Sequence, residues 1–129
     1  MSTLQVATIK SNSSAAPVIQ NTSGTEKGQF AKAWVNFNGT GTVAIRDDFN
    51  VSSITDNGTG DYTVNYSNSF SNSNYAVVPN ANYQFTTSAA RLFVGVRAMD
   101  TSSVEFHTLG DGGSLLDSEL VSVALFGDN

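Results

Sequence analysis

The sequence predicts an all-β fold: a single antiparallel β-sandwich or barrel-like domain with an extended N-terminal arm. Three observations predict it. Short runs alternate apolar and polar residues with period two, and Asn, Gly and Asp clusters punctuate them every roughly 8–14 residues. No window combines helical apolar periodicity with caps. About nine short strands separated by turn signals imply a sandwich or barrel.

Residues 1–28 read as the extended arm, available for attachment or subunit contact. Leu4–Ile9 alternates like a strand. Ser11–Thr25 (SNSSAAPVIQNTSGT) is small and polar, with a loosely pinned strand expected around Pro17–Gln20. Residues 29–129 form the β-sandwich body. In Phe30–Phe37 (FAKAWVNF), Ala31, Ala33, Val35 and Phe37 share one face; Phe30, Lys32, Trp34 and Asn36 share the other. Asn38–Gly41 turns the chain into a strand carrying Val43 and Ile45, and Phe49–Ile54 is expected as a third strand. Asn57-Gly58 within Asp56–Asp61 is the strongest short-range hairpin signal, because both residues tolerate positive φ. The return strand sets Tyr62, Val64 and Tyr66 on one face.

Ser67–Asn74 is a polar loop anchored by Phe70. Tyr75–Val78 and Tyr83–Thr86 are expected strands around Pro79–Asn82, followed by Arg91–Met99 with Leu92, Val94 and Val96 on one face. Val104, Phe106 and Thr108 alternate in the next strand. Glu119–Phe126 closes the body with Val121, Val123 and Leu125 opposed to Leu120, Ala124 and Phe126. A strand apolar on both faces is either central in a sheet or covered by a partner subunit.

Composition narrows function. Six basic and eleven acidic residues give a net charge of −5, and the cations are scattered. That argues against nucleic-acid binding, which needs Lys and Arg to replace counterions on phosphates. There is no cysteine, hence no disulfide, thiolate metal site or cysteine nucleophile. No apolar stretch reaches the roughly 18 residues of a membrane span, and the polar start MSTLQV is unlike an export signal. The expectation is a chain made in a cytoplasm, without membrane insertion. Ser, Thr and Asn number 17, 13 and 13, a third of the chain, against 13% charged residues. This suits an exposed, assembled β-protein better than a cytosolic enzyme, where about a quarter of residues are charged.

Chemical motifs are sparse. His107, the only histidine, shares a polar face with Glu105 and is expected at a rim. Asp111, Asp117 and Glu119, or Asp47, Asp48, Asp56 and Asp61 if folded together, do not match a calcium loop and read as turn formers. No G-x-S-x-G or S-x-x-K stands in the chain. The expectation is no enzyme, no cofactor and no metal. Candidate surface or subunit-contact residues are Trp34, Tyr75, Tyr83 and Phe85, whose rings offer apolar area, together with Val121, Val123 and Leu125 of the final strand.

Lys32–Phe37, Asn38–Gly41, Ile45-Arg46, Phe49–Ile54 and Asp56–Tyr62 together resemble a module of short fibre-type proteins of tailed bacteriophages, marine and cyanobacterial podoviruses among them. Ala16–Val18 and Ser23–Glu26 are similar to that family's arm, and Val121–Asp128 to its final strand. The resemblance is strongest over residues 32–66 and weakest over 67–118. It implies a virion structural protein, often trimeric, with no catalytic residues to carry over, assembled in the host bacterial cytoplasm. Expected partners are further copies of itself as a homotrimer, other virion proteins (tail or major capsid protein) and a host cell-surface glycan. Three functions follow as expectations. The first is a fibre meeting the host through loops within 67–90 and 108–118; the second is a capsid decoration protein stabilising the head lattice. The third, from another class, is a non-viral lectin-like glycan-binding module.

Overall fold

A computed structural model describes residues 3–11, 17–82 and 92–127. The expected Tyr83–Thr86 strand, with Tyr83 and Phe85, and Arg91 lie outside the described residues. The architecture is an all-β sandwich. A small hairpin joins β1 (Ile19–Gln20) to β2 (Glu26–Gly28). The body comprises β3 (Ala33–Asn38), β4 (Ala44–Phe49), β5 (Val51–Gly58), β6 (Asp61–Tyr66), β7 (Ala76–Ala81), β8 (Phe93–Met99), β9 (Ser103–Leu109) and β10 (Val121–Phe126). These form two four-stranded antiparallel sheets, ordered β4-β3-β10-β7 and β5-β6-β9-β8.

Period-two alternation determines which residues face the core. Ala33, Val35 and Phe37 of β3, Val121, Val123 and Leu125 of β10, Tyr62, Val64 and Tyr66 of β6, and Val104 and Phe106 of β9 are all buried. Phe37 packs edge-on against Tyr62 with ring centroids 5.3 Å apart, and Phe106 closes the trio. A second aromatic group fills one end. Phe70 stacks on Tyr75 at 4.4 Å, and Tyr66 meets both rings edge-on.

Several expected elements differ. Leu4–Ile9 forms no strand; its apolar side chains find no neighbouring strand and stay exposed. The expected strand Phe49–Ile54 is instead split at Asn50, whose φ of 57° turns the chain from one sheet into the other. Asn tolerates this left-handed conformation, and its side-chain amide donates to the carbonyls of Lys32 and Asn68. The β5–β6 hairpin turns at Thr59-Gly60, two residues after the expected centre, with Gly60 at φ 64°. β7 runs through Pro79, which is tolerated because β7 is an edge strand.

Candidate functional site

Three surfaces could carry a function: the outer face of each sheet and the N-terminal segment. On each sheet, register decides which side chains meet.

On the β4-β3-β10-β7 sheet, Trp34 lies opposite Phe49 on one side and Ala124 on the other, and Ala124 lies opposite Val78. Phe49, Trp34, Ala124 and Val78 therefore form one apolar row across the whole outer face. Phe49 and Val78 are 54% and 56% exposed, while Trp34 and Ala124 are half-buried. The Phe126–Ala76 pair flanks the row. One step the other way the face turns polar, with Asp47, Asn36, Ser122 and Asn80 in register. There Arg46 donates to Asn36 Oδ1 and, at 2.7 Å, to the Glu119 carbonyl.

The outer face of the other sheet is polar throughout its middle. Asp61 of β6 lies opposite His107 of β9, which lies opposite Gly95 of β8; Thr63 lies opposite Glu105. Arg97 pairs with Glu105 and lies 3.5 Å from Asp61 Oδ2. His107 Nε2 lies 3.1 Å from the same oxygen, yet this buried nitrogen makes no hydrogen bond. Asn57 donates to Asp61 Oδ1 and to Thr63 Oγ1, and Asn65 donates to Ser53 and Thr55. Asp61, Glu105 and His107 bring one ligand atom each within 4.8 Å of one another. A cation there would compete with the Arg97 guanidinium, which already supplies positive charge to both carboxylates. Exposed Phe93 stands beside this network, opposite Leu109.

Among the described residues, large apolar side chains are most exposed in the N-terminal segment. Leu4, Val6 and Ile9 are 80%, 52% and 63% exposed, and Val18, Ile19 and Phe30 are also exposed. Val6, Ala7, Thr8, Ile9, Pro17 and Phe30 line an open hollow of ≈ 420 Å³.

The sequence-predicted contact residues fall in different places. Trp34 sits at the centre of the apolar row. Tyr75 does not lie at the surface: its ring is enclosed by Tyr66 and Phe70, and its hydroxyl donates toward the Asp100 and Ser103 carbonyls, both at 2.8 Å. Val121, Val123 and Leu125 pack inside their own sandwich, because β10 is central between β3 and β7. They are not available to a partner subunit; the strand's outer residues Ala124 and Phe126 are. Tyr83 and Phe85 lie outside the described residues.

The aspartates also separate. Asp47 and Asp48 lie on the edge strand β4, and Asp56 accepts from the Gly58 N–H. Asp117 accepts from the Gly60 N–H at 2.7 Å and is 2.9 Å from the Tyr62 hydroxyl, which also reaches the Gly39 carbonyl. Its role is to clip the β5–β6 turn to the closing loop. Burial pushes the Tyr62 hydroxyl well above the usual tyrosine range, and the adjacent Asp117 carboxylate adds to the shift. Burial does the same for Tyr66 and Tyr75.

The sequence reading missed the apolar row and the Asp61–Glu105–His107–Arg97 group. Glu105 and His107 at i, i+2 were a visible signal; the cross-strand partners were not. No protein family, curated protein or solved structure compared with the chain matches it.

Proposed function

We propose that the protein is a non-enzymatic structural protein on the exterior of a tailed-phage virion, of the fibre type, attached through its N-terminal segment. The observation that carries the attachment role is the exposure of Leu4, Val6 and Ile9, together with Val18, Ile19 and Phe30, on the isolated chain. A segment that leaves this much apolar surface in water is one that another protein covers. The viral context is supported by the motif run of residues 32–66, and the compact sandwich suits a small exposed module. Decoration of the capsid and a place on the tail share this attachment logic and differ in copy number.

The test is a full-length variant, Leu4→Ser/Val6→Ser/Ile9→Ser, supplied during phage assembly. The expected result is an unchanged thermal unfolding curve with loss of the protein from purified particles. Normal incorporation would refute the attachment role. Hundreds of copies on the head would assign decoration; a few on the tail would assign a fibre.

A second reading, binding of a host-surface glycan, is favoured by the polar sheet face. Carboxylate, amide, hydroxyl and guanidinium groups stand there beside the exposed ring of Phe93, a combination suited to sugar hydroxyls and C–H faces. A glycan array probed with the intact protein and with Phe93→Ala tests it. Binding lost in the variant supports this reading, and no binding by the intact protein sinks it.

A further inference from the structure

Two unsatisfied features of the chain fit one another. The first is the outer edge of β4. Among the described strands β4 pairs with β3 alone, so backbone groups along its other side lack a ladder partner and can template a further strand. The opposite edge of that sheet, β7, is a poorer template because Pro79 has no N–H to donate. The second is Leu4–Lys10 (LQVATIK), which lies outside any strand, is exposed along its whole length, and has the alternation of a strand.

Charge selects between possible occupants of the β4 edge. Asp47 and Asp48 are both exposed on β4, immediately before Phe49 of the apolar row. Lys10 is the one charged residue in positions 1–25. The segment thus offers apolar side chains and a single cation to an edge that offers an apolar row and two anions.

We propose that Leu4–Lys10 of one copy adds as a fifth strand to the free edge of β4 in a second copy. In an antiparallel register Ile9 lies opposite Phe49 and extends the Phe49–Trp34–Ala124–Val78 row, and Lys10 lies opposite Asp48, with Asp47 adding to the negative charge of the edge. The inference rests on the reading that the N-terminal segment makes a contact between proteins, and it names a second copy of this chain as the partner. Each copy gives one strand and receives one, so the contact is heterologous and closes into a ring when the rotation permits.

The test uses the full-length chain. The intact protein is expected to associate at micromolar concentration in sedimentation velocity. Asp47→Lys/Asp48→Lys should weaken association by about tenfold, and so should Lys10→Glu, which lies outside the folded body. Combining all three substitutions should restore most of the loss. Thermal melts of each variant confirm folding.

An intact chain that sediments as a monomer at about 100 μM would overturn the inference, as would unchanged association in the swapped variants or no restoration in the combined one. If the chain is monomeric while the serine-substituted variant still loses its place on the particle, the self-pairing falls and the attachment reading stands.

Discussion

Replacing Tyr75 by Phe removes one oxygen from a buried chain of hydrogen bonds and leaves the ring packing intact. Tyr66 donates its hydroxyl hydrogen to Tyr75 at 3.0 Å, and Tyr75 in turn donates toward the carbonyls of Asp100 and Ser103. The Ser103 carbonyl keeps a second donor, the Asp100 N–H at 2.9 Å. The substitution therefore forfeits one donated bond, worth about 1 kcal/mol, and strands the buried Tyr66 hydroxyl, at about 1–3 kcal/mol. The expected loss is about 2–4 kcal/mol, a large share of the ~5–15 kcal/mol of a typical domain. Tyr66→Phe removes only a donor and should cost about 1 kcal/mol. The double variant no longer strands a hydroxyl, so it should be less destabilised than the sum of the singles by about 1–2 kcal/mol. Equilibrium urea unfolding of the three variants measures all of this. A Tyr75→Phe variant within about 0.5 kcal/mol of the parent, or strict additivity, would refute the hydrogen-bond chain.

Other outcomes follow from single sites. Gly60→Ala places a methyl group 2.7 Å from the Leu116 nitrogen and the Thr108 carbonyl, at a φ of 64°; it should cost about 2–4 kcal/mol. Gly41→Ala, at φ 62° but in open space, should cost only about 1 kcal/mol, and thermal unfolding separates the two. Arg97→Ala removes a cation that is 56% exposed, so its cost should stay below about 1 kcal/mol and shrink further in high salt. Stability should fall steeply above a pH of about 10. There the tyrosines of the unfolded chain ionise, while Tyr62, Tyr66 and Tyr75 keep their protons because burial raises their titration. The unfolded state then binds fewer protons, so each buried tyrosine lowers stability by about 1.4 kcal/mol per pH unit. Phenolate absorbance beyond that of a single tyrosine and loss of β-sheet circular dichroism should rise together; more than one phenolate in a folded chain would contradict the burial, since Tyr83 lies outside the described residues.

The core was legible in the sequence because a strand's period is fixed by its backbone. Ala33, Val35 and Phe37, then Tyr62, Val64 and Tyr66, then Val104, Phe106 and Thr108 alternate in the sequence and are buried in the sandwich. Boundaries were less legible. Asn50 breaks Phe49–Ile54 because its own amide satisfies backbone groups on both sides of the turn, a bond between residues far apart in the chain. The same reason hid the candidate surfaces. Phe49, Trp34, Ala124 and Val78 come from four strands and become a row only when register is known. Asp61 meets His107 across 46 positions, and Arg97 reaches both carboxylates from a third strand. Tyr75 and the inner face of β10 looked like contact residues because aromatic and β-branched side chains serve cores and interfaces alike; what separates these is the position of the strand within its sheet.

The most direct test of the proposed virion role is cryo-electron microscopy of phage particles purified from cells that produce this chain, paired with mass spectrometry of their proteins. The account predicts peptides of the chain in the particle, and external density fitting two four-stranded sheets held at one end by the segment that contains Leu4–Lys10. Particles that are complete and infectious without the chain, and that carry no such density, would contradict it.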